Sequence, residues 1–313
     1  MSVYTSITTA ELIEFLSLYD LGELVSFRGI EGGIENTNYF VTTAKHELVL
    51  TIFEELTRND INGIIGLALQ LESEKLTIPV PLADKTGRRQ QTFKDKPAVL
   101  CHKLSGQHVD NPGVKECRAI GVEIAKFHAA ARDYLPRKID LFSVPWWIEK
   151  GPQLTQNEST QDYALFKDEV ALQKKSLKQW EKLPKGWVHS DLFHDNALFD
   201  GDKVAIIDLY SACEGAFIYD LAVIANDWCC DLEGEWKPGC LEALLAGYNS
   251  VRQLDEHETQ AWGLALRVAA LRWWIGRLDT KQLQAKYQGE LALQKDPNEY
   301  RIKLQKRRLQ FAR

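Results

Sequence analysis

The stretch Val188-His189-Ser190-Asp191-Leu192-Phe193-His194-Asp195-Asn196 reads H-x-D-x-x-x-x-N. Asp208, at the end of the apolar run Ile206-Ile207, follows Asp191 by seventeen positions. Phosphoryl transfer from a nucleotide asks for such a set. One carboxylate orients the attacking hydroxyl and takes its proton. An amide oxygen and a second carboxylate hold the Mg²⁺ that neutralises the phosphates. Asp191 is thus the candidate base, and Asn196 and Asp208 are the candidate metal ligands. A polar turn between strands could carry Asp and Asn for turn chemistry alone. The leading His, the flanking apolar strands and the delayed second Asp favour the catalytic reading.

Other residues near this set read as support. His189 precedes the base by two and is expected to fix the loop rather than act on substrate. Asp220, in Tyr219-Asp220-Leu221-Ala222, is expected to cap a helix or anchor a loop. Asp195 reads as a solvated turn residue and His128 as a satisfied core histidine.

The elements that must position these residues follow from periodicity. A helix is expected from Thr8 or Thr9 to about Tyr19, then strands at 25–27, 38–43 and 47–53. Gly32, Gly33, Asn36 and Asn38 sit at the first hairpin turn, where glycines let backbone N–H groups approach the phosphates of ATP. A helix at 59–75 is ended by Pro79 and Pro81, and strands follow near 90–93 and 98–102. Segment 98–104 could meet an adenine ring through its main chain, or be an ordinary edge strand. Beyond Gly106 the pattern turns helical: 114–132 and 162–182, then nearly everything after Tyr219. The expected organisation is a strand-rich first lobe (1–102), a hinge (103–106) and a helical second lobe (107–313). A cleft between such lobes is a natural nucleotide site.

Composition narrows the partners. The net charge of −6 lacks the basic surplus of a nucleic-acid binder. The basic tail 303–313 is short and amphipathic and is expected to cap the fold. Six cysteines without a C-x-x-C read as reduced, buried thiols. With no signal-like start and no bilayer-length apolar run, the expectation is a soluble cytoplasmic protein that binds neither membrane nor nucleic acid.

Together, Asn36-x-Asn38, the His189–Asn196 motif, Ile207-Asp208, Gly215 and Asp220-Leu221-Ala222 resemble the aminoglycoside phosphotransferase-like kinases. The resemblance implies an α+β, protein-kinase-like bilobal fold: a small antiparallel sheet with one helix, then a larger, mainly helical part. Glu35-Asn36-Thr37-Asn38-Tyr39-Phe40-Val41, Val49 to Glu54, Tyr219 to Cys229, Ala270-Leu271-Arg272-Trp273-Trp274 and Lys295-Asp296-Pro297 are most similar to the homoserine kinase branch. That branch implies ATP-dependent phosphorylation of the L-homoserine side-chain hydroxyl, in threonine synthesis. Thr51 stands where wider kinases carry a Lys, as it does in this branch; Lys45, Arg58 and Lys75 are possible substitutes. Homoserine is a zwitterion, and family position offers Arg267 and Arg272 for its carboxylate, Glu214 and Asp227 for its ammonium. Rival acceptors are choline, hydroxylysine or an aminoglycoside. A rival of another class is a catalytically silent kinase-fold binding module, against which Asp191, Asn196 and Asp208 all stand.

Overall fold

The computed structural model describes residues 5–30, 36–135, 144–286 and 295–311. They form two compact units, one running to Ser105 and the other beginning at Gly106.

The first unit opens with α1 (Thr9–Leu16), started by a reciprocal cap between Thr8 and Glu11. Strands β1 (Leu24–Gly29), β2 (Asn36–Thr43) and β3 (Glu47–Phe53) follow. Then come α2 (Arg58–Ser73), β4 (Gln91–Phe93) and β5 (Lys96–His102). The strands pair in the order β1-β2-β3-β5-β4, each pairing antiparallel. Segment 98–102 is therefore no free edge: β3 flanks it on one side, and Leu82 N–H donates to Leu100 O at 2.7 Å on the other. Leu48, Leu50 and Ile52 of β3 are wholly buried with Leu12, Ala98 and Leu100. Each of these leucine and isoleucine side chains contributes about 1.5–3 kcal/mol. Helix α2 stops two residues short of the sequence expectation. Lys75 takes φ +67°, the left-handed turn that commonly ends a helix.

The second unit holds α3 (Val114–Ala131), α4 (Val144–Glu158) and α5 (Thr160–Glu181). Four short strands come next: β6 (Lys185–Val188), β7 (Ala197–Asp200), β8 (Lys203–Ile206) and β9 (Cys213–Ala216). They pair as two antiparallel ribbons, β6 with β9 and β7 with β8. Helices α6 (Phe217–Trp228), α7 (Cys240–Asn249), α8 (Glu256–Lys286) and α9 (Pro297–Gln310) complete it. Residues 217–226 of α6 are all buried, so other elements surround this helix. Helices α3 and α7 meet through glycine: a Cβ on Gly121 would lie 2.3 Å from Leu244 O.

Helix α4 has no counterpart in the sequence expectation. Gly151 and Pro152, residues of low helix propensity, lie inside it, yet a Cβ on Gly151 would lie 2.2 Å from the ring of Phe166 on α5. Tertiary packing overrides local propensity there. The basic tail is more deeply built in than an amphipathic cap. Arg307 is wholly buried, 3.5 Å from the centre of the Trp236 ring, with Nε donating to Asn226 Oδ1. All six cysteines are free and buried. No helix among the described residues is long and apolar enough to cross a membrane.

Candidate active site

Buried Trp187 and Val188 carry β6 into the loop that bears Asp191. The backbone then turns sharply, with Ser190 at φ +67°. A non-glycine residue holds that conformation only where its surroundings fix it. The fully buried Asp220 carboxylate does so. Oδ2 accepts from His189 N and Oδ1 from Ser190 N, each at 2.7 Å. Ser190 Oγ donates to Ser211 O at 2.8 Å. Asp220 thus anchors the loop immediately before Asp191.

His189 ties this loop to the segment carrying Asp208. Its Nε2 lies 2.9 Å from Ile207 O, which can only accept, so the ring proton sits there. Its Nδ1 then accepts from Asp191 N at 3.3 Å. Burial pushes the ring's pKa down and keeps it neutral. Ile207 N–H donates in turn to Asn196 O at 3.0 Å. One residue is therefore bonded to both ends of the loop, and the next is Asp208. Asp208 is solvent-exposed and takes the left-handed conformation, φ +61° and ψ 60°. Asn196 closes the set: Nδ2 donates to Asp191 O at 2.7 Å and approaches Asp191 Oδ2 at 3.3 Å. The backbone thus links Asp191, Asn196 and Asp208 into one constellation.

This donor set fits a magnesium ion. Mg²⁺ is held by one or two protein carboxylates and completes its shell with phosphates and water. Asn196 spends its amide nitrogen on Asp191, which presents the amide as an oxygen ligand. Among the described residues no three His, Cys, Asp or Glu gather into a cage of their own.

Behind the loop runs a buried polar chain. His128 Nε2 meets Asp220 Oδ2 at 3.0 Å and its Nδ1 meets Tyr248 Oη at 2.8 Å. Arg252 donates to Tyr248 Oη at 2.9 Å and clasps Glu258 with two bonds of 3.0 Å. A carboxylate accepts from Nε2–H, so Tyr248 must donate to Nδ1; His128 is neutral, and burial pushes its pKa down.

The nucleotide-loop candidates belong to the first unit. Gly32 and Gly33 lie outside the described residues. Asn36 is buried opposite Phe53. Asn38 Oδ1 accepts from Thr51 Oγ1 at 2.7 Å, so the residue in the place of the usual lysine ties β3 to β2. Of the substitutes, Arg58 donates to Thr92 Oγ1 at 2.6 Å.

The four substrate candidates separate. Arg267 is bidentate to the wholly buried Glu169, at 3.1 and 2.7 Å, and welds α8 to α5. Asp227 accepts from His194 N at 2.8 Å and from its Nδ1 at 2.7 Å, which pushes the imidazole pKa up. Asp195 pairs with Lys295. Arg272 and Glu214 instead line one cavity of about 220 Å³, within the second unit. Trp147 and Gln173 line it too. Sequence reading missed Trp147 because α4 itself was missed, and Gln173 because a polar position on α5 reads as solvated. The one available signal was Pro145 before the tryptophan pair, a proline at a helix start.

Comparison with known proteins fits this geometry. The model of the phosphotransferase enzyme family matches residues 26–254. A homoserine kinase of Methylobacillus flagellatus is 36% identical, over 95% of this chain and 92% of its own. One of Neisseria meningitidis serogroup B is 38% identical, over 96% and 98%. Among solved structures, a microcompartment-associated aminopropanol kinase superposes with a TM-score of 0.73 at 17% identity, covering 97% of this chain and 98% of its own. The choline kinase LicA of Streptococcus pneumoniae does so with 0.68 at 18%, covering 96% and 99%. Likeness at that identity speaks for the kinase-like fold alone. By sequence along nearly its whole length, the chain belongs to the phosphotransferase enzyme family, on its homoserine kinase branch.

Proposed function

We infer that this chain is an ATP-dependent homoserine kinase, which phosphorylates the side-chain hydroxyl of L-homoserine in threonine biosynthesis. The observation that carries the reading is the run of homoserine kinases at 36–38% identity along nearly the full chain. The built loop of Asp191, Asn196 and Asp208 supports it chemically.

Asp191 orients the hydroxyl and takes its proton as the oxygen attacks the γ-phosphorus of ATP. The oxygen–phosphorus bond forms, the bond to the ADP oxygen breaks, and O-phosphohomoserine and ADP result. His189 and Asp220 do no chemistry; they hold the backbone on which Asp191 stands. Asn196 and Asp208 would hold magnesium through side-chain oxygens, and the ion, when bound, neutralises phosphate charge. Asn36 and Asn38, with Gly32 and Gly33, remain the proposed nucleotide-side loop. The reaction belongs in the cytoplasm, where six free thiols stay reduced.

The test is ADP release by the purified chain against a panel of amino alcohols, aminoglycosides and amino acids. L-homoserine should give the highest kcat/KM. An equal or higher value for choline or kanamycin would refute the substrate. Chelation by EDTA should abolish turnover and added magnesium restore it; turnover that persists in EDTA removes the metal role of Asn196 and Asp208.

A further inference from the structure

The cavity that holds Arg272 and Glu214 lies between α4, α5, α8 and the β6–β9 ribbon. Two of its lining residues carry hydrogen-bond donors that are buried and, among the described residues, lack a partner: Trp147 Nε1 and Gln173 Nε2. Trp147 is 3% exposed and Gln173 7%. Buried donors are nearly always satisfied, and leaving one unmade costs about as much as a lost hydrogen bond. Two in one cavity mark the place of an absent acceptor. The buried Arg272 guanidinium adds a cation there, stacked near the Tyr219 ring and donating to Tyr219 Oη at 3.1 Å. Three donor groups, one of them charged, suit an anion with several lone pairs. A planar carboxylate matches the guanidinium fork.

The opposite sign is present as well. Glu214 is solvent-exposed and lines the same cavity. Val188, Leu264 and Val268 give it apolar wall. A carboxylate, an ammonium and a short aliphatic stem describe a small α-amino acid. Size agrees: an apolar cavity of about 150 Å³ admits benzene, and this one is about 220 Å³. The position agrees also. Val188 ends β6 three residues before Asp191, and β9 begins five residues after Asp208.

Resting on the homoserine kinase reading, we propose that this cavity binds the amino-acid end of the acceptor. Arg272, Trp147 Nε1 and Gln173 Nε2 take the α-carboxylate, and Glu214 takes the α-ammonium. Arg267 and Asp227 are then outside the substrate site.

Two truncated acceptors test it. 3-Amino-1-propanol is homoserine without its carboxylate, and 4-hydroxybutyrate is homoserine without its ammonium. The wild-type chain should prefer homoserine to both. Arg272→Gln should reduce its preference over 3-amino-1-propanol by roughly 10–100-fold, the usual worth of a hydrogen bond to a charged group. The loss should fall on KM for homoserine, with KM for ATP unmoved. Glu214→Gln should reduce only the preference over 4-hydroxybutyrate. If Arg272→Gln does not fold, Trp147→Phe, which keeps a ring and removes the N–H, decides by its Kd for homoserine. A rise of several-fold supports the assignment, and an unchanged Kd overturns it. A wild type active on homoserine, with preferences unmoved in the variants, overturns the cavity assignment alone. A wild type inactive on homoserine overturns the functional reading and the assignment with it.

Discussion

Two polar regions of the second unit are built on opposite terms. Around the catalytic loop the buried polar groups answer one another: Asp220 with His189, Ser190 and His128, then Tyr248, Arg252 and Glu258. In the cavity of Arg272, two buried donors go unanswered among the described residues. A closed network holds a strained backbone in one geometry, which general-base chemistry needs before substrate arrives. An open set of donors awaits a partner. Two arginines of α8 differ in place: Arg267 is bidentate to Glu169, whereas Arg272, which donates to Tyr219 Oη, lines the cavity.

The strongest way to break the comparison is at the reacting end of the closed network. Asp191→Asn should lower kcat by roughly 10²–10⁴-fold, the range for loss of a general base, while ATP still binds. Near-normal turnover in the folded variant would remove Asp191 from the chemistry. Next in size is the spent arginine. Arg267→Met leaves the buried Glu169 carboxylate with Arg308 alone beside it, at 3.4 Å, which should cost about 3 kcal/mol of stability, the low end for a broken buried pair. Denaturant unfolding measures it, and KM for homoserine should not change. A raised KM with intact stability would exchange the roles of the two arginines.

Asp220→Asn makes a smaller change. The amide nitrogen cannot accept from a backbone N–H, so one of the two loop bonds is lost. A buried donor left unsatisfied costs about 1–3 kcal/mol. The melting temperature and kcat should fall together, because Ser190 loses what holds its left-handed backbone. A fall in stability with kcat intact would show that the loop keeps its shape without Asp220.

The smallest effect is a pH dependence of the same network. Burial pushes the His128 pKa below its ordinary value, outweighing the opposite pull of Asp220. An unfolded chain takes up this proton near pH 6.5, by about the model-peptide value, and the folded ring does so only at lower pH. Its contribution to stability is therefore whole above that pH and drains away as pH falls through the folded value. Unfolding free energies measured from pH 8 to pH 5 should decline more steeply in the wild type than in His128→Asn. Equal slopes would dismiss His128 as the source. The cavity variants should leave this slope alone.

Much of the loop was legible because its chemistry fixes its spacing. Asp191, Asn196 and Asp208 were named from residue type and interval, and their carrier strands from apolar runs. The partner of Asp220 was not legible, since His128 lies 92 residues away in sequence. Periodicity marked His128 as core without saying what would satisfy it. The cavity was the least legible region. Its donors come from α4, hidden by Gly151 and Pro152, and from a polar position on α5 that looks solvated in sequence.

By itself the sequence determined the reaction class, the candidate catalytic set and the division into a strand-rich and a helical part. These depend on short spacings and on patterns repeating every two or 3.6 residues, which local sequence carries. Only the tertiary structure decided which charged side chains meet. Arg267 and Arg272 lie about 140° apart around a helix at 100° per residue, so they cannot share a face. Nothing local says which one turns toward Glu169, 98 residues away, and which lines the cavity. That choice is made when α5, β9 and α8 pack together, because burying an arginine demands a partner that only another element supplies.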